Sequence, residues 1–247
     1  MKMITKIGVG AIVCGIVFSA VGGTVFALNY NKFNEKYLGE PVSYTKNFDE
    51  KISEIELDIS FMNIDIKEGD ELKITAESVP EKLLPDIDIS DKKLKITDKD
   101  FKSRMKDKNF QLGNIADEFV GTFTIYIPDK KLDKADINSA FSSLEISGLK
   151  ADNIDIECSF GEYILNDSEF NNADFTNSFG SFQTSDLKIK KSAKIENSFG
   201  NMDINLSGDN YGFDTVTSFG STGDFNCPSE DVKIKASNSF GDINFTN

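Results

Sequence analysis

Apolar positions follow two rhythms along this chain. The first is unbroken: Ile7 to Leu28 is twenty-two residues without a charge. As a helix this run is about 33 Å long, enough to cross a hydrocarbon core of about 30 Å. The second rhythm is strict alternation, which places every other side chain on one face of a strand. Ile154, Ile156 and Cys158 precede Phe160, Ala193 and Ile195 precede Phe199, and Met202, Ile204 and Leu206 follow it. Alternation on both sides of a phenylalanine predicts two short strands joined at that residue.

The joint is spelled almost identically each time. "CSFG", "NSFG", "NSFG", "TSFG" and "NSFG" place Phe160, Phe179, Phe199, Phe219 and Phe240, and a degenerate "SAFSS" puts Phe141 in front. Their separations are 19, 19, 20, 20 and 21 residues, a structural repeat. A two-strand unit of this length cannot bury its own inner face, whereas stacked units can, each strand pairing with its counterpart one rung above. Residues 136–247 are therefore expected to form an all-β solenoid of about 20-residue rungs. Its six phenylalanines make a ladder at one corner, and Gly161, Gly180, Gly200, Gly220 and Gly241 supply the turn out of it. Ser142 stands at the glycine position of the first copy, so that rung must turn without a left-handed glycine or turn differently. Asn177 and Asn197 fall on neighbouring rungs, with Cys158 and Thr217 at the same place elsewhere; the asparagines read as turn residues rather than ligands.

Residues 42–135 alternate in longer runs, such as "ISEIELDISFMNIDIKEGDELKITAES". "DISFMNIDI" echoes "SFGNMDI" with Met62 at the glycine position, so this region is either an irregular beginning of the same coil or a small β-sandwich cap. "EGDE" at 68–71 and "DKK" at 91–93 look like hairpin turns. Residues 98–118 are a charged interruption carrying Lys99, Lys102, Arg104, Lys106 and Lys108.

The first residues divide into a stub (1–6), the apolar run as a transmembrane helix or signal peptide (7–28), and a tether (29–41). Lys2 and Lys6 hold the N-terminal side in the cytoplasm by the positive-inside rule, which sends the rest across the membrane. Cleavage after Val25-Phe26-Ala27 is the rival expectation and leads to secretion. Ala11, Gly15, Ser19 and Gly23 recur every four residues, a small-residue strip that is either a helix–helix contact face or ordinary anchor composition.

Charge and composition narrow the chemistry. A net charge of −14, with Arg104 the sole arginine, excludes nucleic acid as an expected partner. The absence of histidine removes the usual general base and the commonest zinc ligand. Cys14, Cys158 and Cys227 match neither a disulfide framework nor a metal motif. No cofactor, metal site or catalytic residue is expected.

"TIYIPDK" at 124–130, leading into alternating strands with "SFG", resembles a bacterial family known as "putative adhesins" with an uncharacterised β-strand-repeat domain, over residues 42–247. The resemblance implies a right-handed β-helix-like fold behind one transmembrane segment, and in some members association with envelope-stress operons. It implies no activity and no catalytic residues. Three functions follow as expectations. The first is a membrane-anchored, extracytoplasmic adhesion or scaffold module that engages an envelope component. The second is an accessory of envelope-stress signalling, contacting a membrane protein through the small-residue strip. The third is a polysaccharide-acting enzyme, for which Asp203, Asp224 and Asp242 are the carboxylates nearest the repeated glycines.

Overall fold

The computed structural model describes residues 38–98, 121–128, 131–208, 211–223 and 231–246. The apolar run, its strip of Ala11, Gly15, Ser19 and Gly23, the basic stretch from Lys99 to Lys108, Asp224, Cys14 and Cys227 lie outside them. Among the described residues no helix is long and apolar enough to cross a membrane. The described residues are all-β apart from short turns such as the 3-10 turn Glu81–Leu83. In chain order the strands are β1 (Pro41–Phe48), β2 (Glu54–Ser60), β3 (Asn63–Gly69), β4 (Leu72–Pro80), β5 (Asp86–Ser90), β6 (Lys93–Thr97), β7 (Thr122–Pro128), β8 (Leu132–Ala140), β9 (Leu144–Ser147), β10 (Lys150–Ser159), β11 (Tyr163–Asn166), β12 (Glu169–Asn177), β13 (Phe182–Phe199), β14 (Met202–Leu206), β15 (Tyr211–Phe219), β16 (Val232–Phe240) and β17 (Ile243–Thr246).

Alternation sorts these strands into two mainly parallel sheets that share their inner faces. One sheet runs β5-β6-β2-β8-β10-β12-β13-β16-β15. The other runs β1-β4-β7-β3-β9-β11-β13-β14-β17. β13 belongs to both, its first part pairing in one sheet and its second part in the other. Inward side chains form rows: Leu57, Ile137, Ile156, Phe175, Ile195 and Ala236 lie in register on successive strands, all buried. The sheets meet where Phe175 packs on Phe182 at 5.3 Å and Phe213 on Phe245 at 4.4 Å. Each fully buried aliphatic in these rows contributes about 1.5–3 kcal/mol of burial free energy, so the stack is held by its interior rather than by any one turn.

Residues 42–135 share these sheets with the repeats: β2 pairs with β8, and β3 with β9. Chain order and spatial order differ at both ends. The first rung, β2 and β3, lies inside the next one, because β6 and β7 pair on its outer side. The last rung, β16 and β17, is likewise inserted beneath β15. The sequential ladder expected from the repeats is thus corrected at its last two steps.

The two expected hairpins also part ways. "DKK" is one: β5 and β6 are antiparallel around Asp91 and Lys92, both left-handed at φ 51° and 62°, the geometry of a tight hairpin turn. "EGDE" is not, because β7 lies between β3 and β4. Both sides of that turn alternate, and local periodicity does not reveal a strand arriving later in the chain.

Candidate functional site

The repeated word builds the most regular surface feature of the protein. The rings stack in the order Phe61, Phe141, Phe160, Phe179, Phe199, Phe240, Phe219, with centroids 5.1, 4.8, 4.7, 4.6, 4.7 and 4.8 Å apart. Successive planes lie within 5° of parallel. The spacing is the inter-strand distance, so in-register parallel pairing enforces face-to-face stacking that free aromatic pairs do not prefer. Exposure rises along the ladder, from 4% at Phe61 through 40% at Phe199 and 43% at Phe240 to 68% at Phe219.

Six of the seven rungs turn the corner in one of two ways; in the seventh neither Phe219 nor Gly220 has a positive φ. In the rungs of Phe61, Phe141 and Phe160 the phenylalanine itself is left-handed, at φ 61°, 56° and 64°. In those of Phe179, Phe199 and Phe240 the following Gly180, Gly200 and Gly241 takes that role, at φ 133°, 122° and 133°. This is why Met62 and Ser142 are tolerated where glycine otherwise stands. Close approach supplies a second reason for glycine. A Cβ at Gly180 meets the Gly161 carbonyl oxygen at 1.7 Å, and one at Gly161 or Gly220 meets the carbonyl oxygen of the neighbouring rung at 1.9 or 2.0 Å.

Behind the corner, Asn177, Asn197 and Asn238 are in register and buried. Asn197 and Asn238 both donate through Nδ2 to the Gly200 carbonyl, at 2.9 and 2.8 Å. All three are strand residues rather than the turn residues the sequence suggested; Asn197 and Asn238 brace the turn, whereas the buried Asn177 amide has no hydrogen-bond partner among the described residues. Cys158 occupies the same row, its thiol pushed well up by burial. A second left-handed corner, at Gly148, Asp167 and Asp186 (φ 75°, 49° and 52°), escaped the sequence reading. Its signal is the 19-residue spacing of those three positions, hidden because no single residue type repeats there.

On the outer face of the sheet ending in β15, one row reads Lys95, Glu56, Asp136, Asp155, Asp174, Lys194, Lys235 and Asp214. Lys93 and Lys95 bond the Glu56 carboxylate, the latter at 2.7 Å, and lower its pKa to about 2. Asp155, between two like charges, is raised by partial burial and then by Asp174 and Asp136. Side by side on parallel strands, these carboxylates point the same way rather than converging on a centre. Among the described residues no group of three or more His, Cys, Asp or Glu side chains is arranged to hold a metal ion.

Of the carboxylates considered for glycan chemistry, the two described ones, Asp203 and Asp242, are each held by a hydrogen bond from a different neighbour. Asp203 accepts from Nδ2 of Asn244, its register partner on β17, at 2.8 Å. Asp242 accepts from the backbone N–H and the hydroxyl of Ser221, each at 2.8 Å, which lowers its pKa. A cavity lined by Ile52, Leu72, Ile127 and Leu132 measures about 40 Å³. Small-molecule sites are commonly about 300–1,000 Å³.

A family model described as Toastrack DUF4097 matches residues 52–247. Among solved structures, a "putative cell adhesion protein" from Clostridium sporogenes is similar over 83% of this chain and 99% of its own, at 13% identity and a TM-score of 0.53. A "putative adhesin" from Bacteroides fragilis covers 83% of this chain and 97% of its own, at 13% identity and a TM-score of 0.47. A "putative lipid binding protein" from Parabacteroides distasonis covers 85% and 98%, at 14% identity and 0.39. No protein of curated function matches the chain.

Proposed function

Since the chain belongs to the Toastrack DUF4097 family, we propose that it is a non-catalytic surface module: a right-handed solenoid, anchored through residues 7–28, that binds an extracytoplasmic envelope component along an outer sheet face. One observation supports this reading above others. Register places like polar side chains in straight rows one strand apart, as when Asn172 Nδ2 donates to Asn153 Oδ1 at 3.0 Å and Ser192 Oγ to Asn172 Oδ1 at 3.2 Å. A rigid row repeating at about 4.8 Å suits an extended, repeating ligand better than a compact one. The adhesion role in the description of the Clostridium sporogenes protein agrees with this reading and adds no residue-level support.

The test is a binding screen of the full chain in detergent against wall polymers, cationic peptides and lipid vesicles, beside a glycan-hydrolysis panel. Saturable binding to an envelope component, weakened when Asn153 and Asn172 are replaced by lysine, is expected. Glycan turnover, or no binding to any envelope component, overturns the proposal. A second reading, envelope-stress signalling, rests on Ala11, Gly15, Ser19 and Gly23. Replacing residues 7–28 by an unrelated apolar helix abolishes a stress phenotype under that reading and leaves it unchanged under simple display.

A further inference from the structure

β15 is the last described strand of its sheet, and among the described residues its only strand partner is β16. It bears the two most exposed large apolar side chains among the described residues, Val216 at 60% and Phe219 at 68%. The Phe219 carbonyl points inward, accepting from Gly241 N–H at 2.9 Å. Backbone direction alternates along a strand, so Asp214, Val216 and Ser218 direct their N–H and C=O groups away from β16. Such an edge is a template for another strand.

We propose that this edge pairs with the same edge of a second copy of the chain, antiparallel about a two-fold axis at Val216. The outward groups allow only a few two-fold registers. Centring on Asp214 opposes the two carboxylates directly. Centring on Thr215 sets Asp214 against Val216 and Phe219 against Tyr211, which is already buried with its hydroxyl donating to Ser207 O at 2.7 Å. Centring on Thr217 leaves Phe219 opposite Thr215. Centring on Val216 sets Val216 against Val216, Phe219 against Phe213 and Asp214 against Ser218. This register alone covers both exposed apolar side chains with apolar partners, keeps the carboxylates apart, and closes about six backbone hydrogen bonds. The contact is isologous and therefore stops at a dimer.

Cysteine cross-linking distinguishes the registers. In the full chain in detergent, with Cys14→Ser, Cys158→Ala and Cys227→Ser, Val216→Cys brings two thiols together at a hydrogen-bonded pair whose Cα atoms are about 5.5 Å apart, within disulfide reach. Asp214→Cys leaves its thiols about 14 Å apart along the strand. A disulfide dimer from Val216→Cys and none from Asp214→Cys is expected. Sedimentation equilibrium of the parent chain should show dimerisation that strengthens with salt, since each copy carries −14. Val216→Lys should weaken it by about tenfold or more, with circular dichroism confirming the fold. A chain monomeric throughout, a cross-link at 214 rather than 216, or a dimer indifferent to Val216→Lys overturns the proposal.

Discussion

The two ends of the stack are made from the same word and finished differently. At the first, Phe61 is buried, and β6, β7 and the antiparallel β5, β4 and β1 continue the sheets beyond it. At the other, Phe219 tops the ladder on a strand with nothing described beyond it. Stacking distance is almost the same at both ends, 5.1 and 4.8 Å, so the rings themselves do not set the difference. The difference lies in what covers them. An aromatic ladder can be structural at one end and a surface at the other without any change in its local chemistry.

The largest expected effect separates those ends directly. Phe61→Ala should destabilise by about 3–5 kcal/mol, the cost of emptying a packed aromatic site, whereas Phe219→Ala should cost under about 1 kcal/mol. Urea midpoints of the two variants measure the contrast, and equal losses would erase it. Next comes Gly180→Ala in mid-stack, with about 2–5 kcal/mol expected from backbone strain and overpacking together. Gly220→Ala meets a similar contact, but on an edge rung that is free to shift, and should cost less than half as much. Asn197→Ala should cost about 1–2 kcal/mol, the range for a buried hydrogen bond, with Asn238 still serving the shared carbonyl. Its double mutant with Asn238→Ala should cost more than the sum of the singles.

The smallest effects are electrostatic and run in opposite directions with pH. Asp155 binds its proton more tightly folded than unfolded, so its penalty is present at neutral pH and disappears as pH falls through its raised pKa. Asp155→Asn should therefore stabilise at about pH 7 and make no difference below about pH 4. Glu56 behaves inversely: its contribution is present above the ordinary carboxylate pKa and is lost as pH falls toward about 2. Because that ion pair is partly solvated, Glu56→Gln should cost only a few tenths of a kcal/mol, and less in high salt. Thermal melts across pH check both signs.

The corner was legible in the sequence because every rung turns at the same position of the repeat, and a demand repeated at fixed spacing leaves repeated letters. Phe61 was legible only as an echo, since a left-handed phenylalanine does not need the glycine that marks the later copies. The second corner was not legible, because a left-handed position accepts aspartate as well as glycine, and Gly148, Asp167 and Asp186 share no letter. The order of the last two rungs was not legible either. "TSFG" and "NSFG" fit equally well above Phe199 in register alone. Burial explains the outcome: Val232, Ile234 and Ala236 of β16 are buried, while Phe213, Thr215 and Thr217 of the outer β15 are only partly so. The Asn238 amide also reaches Gly200 O, whereas the Thr217 hydroxyl bonds Gly220 O on its own rung at 3.3 Å.

By itself the sequence determined the strand class, the length of a rung and the residues at one corner, because alternation and repeat spacing are local and periodic. Tertiary structure alone decided which rung lies outermost, which ring is left uncovered and which carboxylates become neighbours. Those outcomes depend on which surface is buried against which, a competition between distant segments that no local pattern encodes.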